Sequence, residues 1–385
     1  MVSTLRLLRP SLTGLRAVAT PRRYVSSFGY AQAKALIYSD YGQPSDVLKL
    51  HAHSISPAYG SDIVVRFLAA PINPADINQI EGVYPPKPEM TIKLGTPTPV
   101  AVPGNEGLVE VVAVGADVES FRPGDRAIMK HAAFGTWRTH AVASDENLLK
   151  IPEQFRDLGV VSAATVSVNP CTAYRMLKDF VPLERGDWFV QNGGNSGVGR
   201  AAIQLSRLWG LKSISIVRNR PEIDELKQEL EALGADLVVT ERELADRAFR
   251  KETKRLTGGK GIKLGLNCVG GKATTEMIHH MAQGGQVVTY GAMAKQPVTL
   301  SASSLIFRDM HLHGFWVSRW SDANPEAKRQ MVEEILGMIQ RGELKDVPVE
   351  KTVWTSATKE DELKAAIAKS GQGFGGKKQV FVFEE

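Results

Sequence analysis

Cysteine is nearly absent from this chain of 385 residues: only Cys171 and Cys268 occur, and neither has a second cysteine nearby. Two such residues cannot build a disulfide framework or a thiolate zinc cluster, and both read as reduced core side chains. Long apolar runs are also missing. No stretch approaches the roughly 18 to 20 apolar residues that a membrane-crossing helix needs, so no membrane span is expected. Acidic residues are missing from one end. The first acid is Asp40, whereas residues 1–29 carry Arg6, Arg9, Arg16, Arg22 and Arg23 among Ser, Thr, Leu and Ala. That is the composition of a mitochondrial transit peptide, and its arginines interrupt the apolar core that a secretory signal would require. The formal charge of +5 comes from 47 basic and 42 acidic residues; setting the five leader arginines aside leaves 42 against 42. A near-neutral remainder argues against nucleic-acid binding.

What is present divides into two textures. With 43% hydrophobic residues, a chain of this length can bury two ordinary cores. From about 30 to 165, short β-rich runs such as "DIVVRFLAA", "GLVEVVAVGADV" and "RAIMK" are broken by Gly and Pro, which predicts a curled antiparallel sheet or small barrel. From about 166 the pattern alternates strands with helices, the signature of a parallel sheet. "DWFVQN", "KSISIVR", "ADLVVT", "KLGLNCVG", "GQVVTYG" and "HLHGFWV" supply six candidate strands, as a doubly wound dinucleotide fold requires. The helix "SGVGRAAIQLSRLWG" carries Val198, Ala201, Ala202, Leu205 and Leu208 at helical spacing, and "PEIDELKQELEALG" has Pro221 at its first turn and Gly234 at its end. After about 325, one helix and a late strand, "QVFVFEE", are left to complete the first domain.

Between the first of these strands and its helix lies "QNGGNSGVGRAAIQ", residues 191–204. Glycines at such a turn let the backbone approach a pyrophosphate, and the helix N-terminus directs unpaired N–H groups at the anion. About twenty residues on, where an NAD enzyme presents a carboxylate, this chain has "VRNRPE". Arg218 and Arg220 suit a charge-assisted clamp on a 2′-phosphate, so NADPH is favoured over NADH. A solvated surface pair is the alternative reading.

Over essentially all residues after about 30, the chain resembles the medium-chain dehydrogenase/reductase superfamily. "GNEGLVEVVAVGADVESFRPGDRA" is similar to the segment in which its zinc alcohol dehydrogenases carry Gly-His-Glu, but Asn105 stands in place of the histidine. With only two cysteines and no matching histidine, neither zinc site of those relatives can be assembled, and His131, His140, His279, His280, His311 and His313 lack convincing ligand partners. The resemblance implies a GroES-like β-rich catalytic domain over 30–165, completed by 325–385, and a Rossmann domain with a doubly wound parallel sheet over 166–324. Without a metal to polarise a carbonyl, the expected hydride acceptor is a conjugated one. Hydride then reaches the β-carbon, charge gathers on the carbonyl oxygen, and an acid protonates the α-carbon.

"INPADINQIEGVYPPKP", "VNPCTAYRML", "QNGGNSGVG", "NCVGGKAT", "VTYGAMAKQPV" and "GFWVSRW" narrow the resemblance to the mitochondrial trans-2-enoyl thioester reductases of fatty acid synthesis. It implies that Tyr84, stiffened by Pro85 and Pro86, is the proton donor. Cofactor contacts are implied for Asn169; for Asn195, Ser196, Gly197 and Val198; for Arg218, Asn219 and Arg220; for Tyr290, Gly291, Ala292 and Met293; for Phe315, Trp316 and Val317; and for Lys378. Read alone, Phe315 and Trp316 are core aromatics and Lys378 a surface lysine. Asn78 is a candidate to orient Tyr84 or the thioester carbonyl, or simply a turn cap. The expected substrate is a 2-enoyl thioester on acyl carrier protein or coenzyme A, in the mitochondrial matrix. Lys87, Lys93, Arg122, Lys130 and Arg138 are candidates to meet an acidic carrier, and "MHLHGFWV" is the candidate edge strand of a homodimer. A quinone or enone reductase of the same superfamily and a noncatalytic NADPH-binding protein are the competing readings.

Overall fold

The computed structural model describes residues 31–371 and 377–384. The leader expected over 1–29 lies outside the described residues. The β-rich first part forms a hairpin, β1 (Ala31–Ile37) with β2 (Lys49–Ile55), and the strands β3 (Ile63–Pro71), β4 (Leu108–Val114), β5 (Arg126–Met129), β6 (His140–Ala143) and β7 (Leu148–Lys150). β3 is buried along nearly its whole length because it is paired on both sides, antiparallel to β4 and to β6. Its sequence is accordingly an almost unbroken apolar run rather than an alternating one.

All six strands predicted for the second part form: β8 (Trp188–Asn192), β9 (Lys212–Val217), β10 (Leu237–Thr240), β11 (Ile262–Asn267), β12 (Met281–Thr289) and β13 (His311–Gly314). They lie parallel in the order β10-β9-β8-β11-β12-β13. The order reverses between β8 and β11, which opens a crevice at the carboxyl ends of those strands. The helix Gly197–Trp209 buries Val198, Ala201, Ala202 and Leu205 against the sheet, whereas Leu208, placed on the same face by spacing, is exposed. Gly210 ends it at φ 72, the left-handed conformation that a C-terminal cap favours. The helix predicted with Pro221 in its first turn begins later, at Ile223, and ends on Gly234 as expected.

The last part of the chain differs from the sequence reading. Besides the helix Pro325–Gln340 and the late strand β15 (Lys378–Phe383), it contains β14 (Val349–Trp354) and the helix Glu360–Gly371. β14 escapes a periodicity search because Glu350 and Lys351 are adjacent charges within a partly exposed strand. β14 pairs parallel with β15, and β15 pairs antiparallel with β3, so the C-terminal strands belong to the first sheet. One apolar cluster runs from Leu68, Leu108 and Val380 in that sheet to Phe189, Leu264 and Leu266 in the parallel sheet. That shared core packs the two sheets together.

Candidate active site

The loops at the carboxyl ends of the parallel strands bring most of the predicted cofactor residues to one crevice. Asn195–Val198 follow β8, Arg218–Arg220 follow β9, Tyr290–Met293 follow β12 and Phe315–Val317 follow β13. The loop after β8 is folded as tightly as a backbone allows. A Cβ at Gly199 would lie 2.6 Å from the carbonyl oxygens of both Gly193 and Gly194, and one at Gly197 would lie 2.7 Å from Asn169 Nδ2. Asn169 opens its own helix, Asn169–Asp179, and so lies against the mouth of the other. Ser196 caps the helix Gly197–Trp209 by accepting a hydrogen bond from Gly199 N at 3.0 Å. No acidic residue occurs between 191 and 204. A glycine-lined helix mouth without carboxylates fits the phosphates of a dinucleotide. The neighbouring segment 290–293 is held by Met293 N donating to Cys268 O at 2.9 Å, and Phe315 N donates to Thr289 O at 2.9 Å.

Tyr84 comes to this crevice from the first sheet. β3 leads into the short helix Pro74–Ile80, after which Gly82, at φ 79, turns the chain. Val83 N donates to Asn78 O at 2.9 Å, and Gln79 Nε2 donates to Pro86 O at 2.5 Å, so the turn is tied down on both sides of the phenol. Asn78 enters here through its carbonyl, as a turn residue. Tyr84 is half-buried, and its ring meets Trp316 edge-on with centroids 6.0 Å apart. The two sheets therefore place a phenol beside the segment after β13. Burial raises the Tyr84 pKa, the Trp316 contact opposes that rise, and the Asp76 charge adds to it. The phenol keeps its proton at neutral pH.

Two family models match the chain: "Alcohol dehydrogenase GroES-like domain" over residues 60–153 and "Zinc-binding dehydrogenase" over 197–336. The mitochondrial enoyl-acyl-carrier-protein reductase of Yarrowia lipolytica is 42% identical over 388 residues, covering 99% of this chain and all of the relative. The chain belongs to the mitochondrial enoyl-acyl-carrier-protein reductase family. Among solved structures, the Etr1p complex with NADP and crotonyl-CoA superposes with a TM-score of 0.87 at 39% identity, covering 91% of this chain and 99% of that one. The mitochondrial 2-enoyl thioester reductase of Candida tropicalis, solved as an Etr1p/Etr2p heterodimer, gives 0.86 at 40% identity, with coverage of 91% and 99%.

Beneath the crevice, this reductase carries a buried polar cluster that sequence reasoning did not find. Asn73, Asp76, Gln79 and Glu106 are all buried. Glu106 accepts hydrogen bonds from Asn73 Nδ2 at 3.0 Å, Val168 N at 2.9 Å and Ser167 Oγ at 3.2 Å, which fixes the start of the Asn169 helix. Lys378, at the start of β15, donates to Asn73 Oδ1 at 2.6 Å. Burial pushes Asp76 up to about 6 and raises Glu106, while desolvation lowers Lys378; the opposite charges partly counter each shift. Lys378 is thus part of the cluster rather than a solvated surface residue. The available signal was the spacing of Asp76 and Gln79, three apart on a short helix, which puts two polar side chains on one face. Among the described residues no three His, Cys, Asp or Glu side chains converge as metal ligands.

Proposed function

We propose that this chain reduces trans-2-enoyl thioesters to saturated acyl thioesters with NADPH, and that Tyr84 protonates the α-carbon. The observation that carries this reading is the approach of Tyr84 to Trp316 at the crevice where the glycine loop also opens. NADPH, when bound, supplies the hydride that reaches the β-carbon. The chain's own contribution is to hold an acid where the α-carbon becomes basic. A phenol with a raised pKa stays protonated until a strong carbon base forms, and then donates its O–H proton to that carbon. Asn195–Val198 and Asn169 would hold the cofactor's phosphates and ribose, and Arg218–Arg220 its 2′-phosphate; Tyr290–Met293, Phe315–Val317 and Lys378 would complete the pocket. The direct test is NADPH oxidation on adding crotonyl-CoA: turnover is expected, and no oxidation with any 2-enoyl-CoA or enone would leave only a noncatalytic binding protein.

The proposed setting is the mitochondrial matrix, with the acyl group delivered on acyl carrier protein or coenzyme A. Lys87, Lys93 and Arg122 are exposed and suited to an acidic carrier. Arg138 is not: its guanidinium donates to Phe134 O at 3.0 Å and stacks on the Phe134 ring. A homodimer is supported by the outer edge of β13. There Leu312 is exposed, and the adjacent helix Ala302–Arg308 presents Ile306 at 70% and Phe307 at 75% exposure. Exposed apolar side chains beside a strand edge that is unpaired among the described residues favour a two-fold partner. Phe307→Glu is expected to shift the protein from dimer to monomer in sedimentation velocity. A wild-type protein that sediments as a monomer would contradict the pairing.

A further inference from the structure

We infer that Asn105 and Gln79 are positioning residues for the proton donor: they form the centre of a hydrogen-bonded lattice that ties the Tyr84 turn to Lys378 on the cofactor side. The inference rests on the reading of Tyr84 given above. Every hydrogen-bonding site of the Asn105 side chain is used. Its Nδ2 donates to Asp76 Oδ1 at 2.6 Å and Gln79 Oε1 at 2.7 Å, and its Oδ1 accepts from Ala133 N at 2.7 Å and Gln79 Nε2 at 3.2 Å. Asn105 N also donates to Asp76 Oδ1 at 2.9 Å. An amide has two donors and two acceptor lone pairs, so no other residue of this size completes the set; Asp lacks the donors and Leu lacks all four.

From this centre the lattice extends in two directions. Toward the donor, Gln79 Nε2 passes to Pro86 O, two residues beyond Tyr84. Toward the cofactor, Asp76 Oδ2 accepts from Asn73 N at 2.7 Å, and Asn73 Oδ1 accepts from Lys378 Nζ. A third arm reaches Ala133, which sits at φ 63, a conformation that L side chains rarely adopt and that persists where surrounding contacts enforce it. A lattice in which donors and acceptors match throughout has one geometry, because leaving any buried group unpaired is costly. The position occupied by a histidine ligand in the zinc-dependent relatives is here the keystone of a support for the phenol built from the Asn105 and Gln79 amides and the Asp76 carboxylate.

The test uses Gln79→Glu and Asn105→Asp in the full-length protein, with crotonyl-CoA and NADPH. Both variants should lower kcat by roughly 10- to 100-fold, since a displacement of about 1 Å costs that much, while KM for NADPH stays near the wild-type value. In Gln79→Glu, protonating the carboxyl restores a donor to Pro86 O, so kcat relative to wild type should recover as the pH falls. α-Protonation in D2O should lose its stereochemical purity in both variants. Wild-type kcat in Gln79→Glu at every pH, or a loss that acidification does not relieve, would overturn the inference. An inactive wild type would instead remove the reading of the active site itself. Should Asn105→Asp fail to fold, the pH profile of Gln79→Glu decides alone.

Discussion

Tyr84→Phe is expected to lower kcat for 2-enoyl thioester reduction by roughly 10²- to 10⁴-fold, the range that a positioned general acid contributes. KM for NADPH should not change, because the glycine loop and the loop after β9 lie on the other sheet. The phenyl ring keeps the edge-on contact with Trp316, so the substitution removes the proton and little of the packing. Steady-state kinetics with NADPH and a series of 2-enoyl-CoA thioesters checks this. A quinone reductase has no need of a proton delivered to carbon, and Tyr84→Phe would leave its rate nearly untouched. Turnover that survives the substitution would therefore move the assignment to that activity.

The second large effect concerns cofactor choice. Arg218 and Arg220 lie just past the end of β9, where the ribose 2′ position is presented in a doubly wound fold, and burial together with the Arg218 charge lowers the pKa of Arg220. A charge-assisted hydrogen bond contributes about 1.5 to 3 kcal/mol, roughly 10- to 100-fold in affinity for each arginine. Replacing both by Ala should raise KM for NADPH by that order per residue and leave KM for NADH almost unchanged. Fluorescence titration of the two reduced cofactors separates binding from turnover. Equal weakening of both cofactors would mean that the arginines do not read the 2′-phosphate.

The parallel sheet could be read from sequence because its evidence is local: strands such as β8 and β9 are short runs rich in apolar residues, and the helices Gly197–Trp209 and Ile223–Leu233 announce themselves by apolar spacing and a glycine cap. Residues 191–204 were legible for the same reason, since strand, glycine turn and helix are contiguous. The support beneath Tyr84 was not. It joins residues 73–79 to 105–106, 133 and 378, with Lys378 and Asn73 separated by 305 positions, and no periodicity reports such contacts. Asn105 was visible in the sequence only as a missing histidine, whereas the fold shows an amide bonded at every site. Arg138 illustrates the reverse case: a basic residue at that position in the chain suggested a docking contact, and its guanidinium is instead held against Phe134.

The central claim is that the Tyr84 hydroxyl delivers the proton to the α-carbon from one face. The most direct measurement is the stereochemistry of the product formed from crotonyl-CoA and NADPH in D2O, read by NMR for wild type and Tyr84→Phe. The account predicts deuterium at the α-carbon in a single configuration for the wild type and a mixture of configurations in the slow residual product of the variant. An unchanged single configuration in Tyr84→Phe, formed at the wild-type rate, would show that another group supplies the proton.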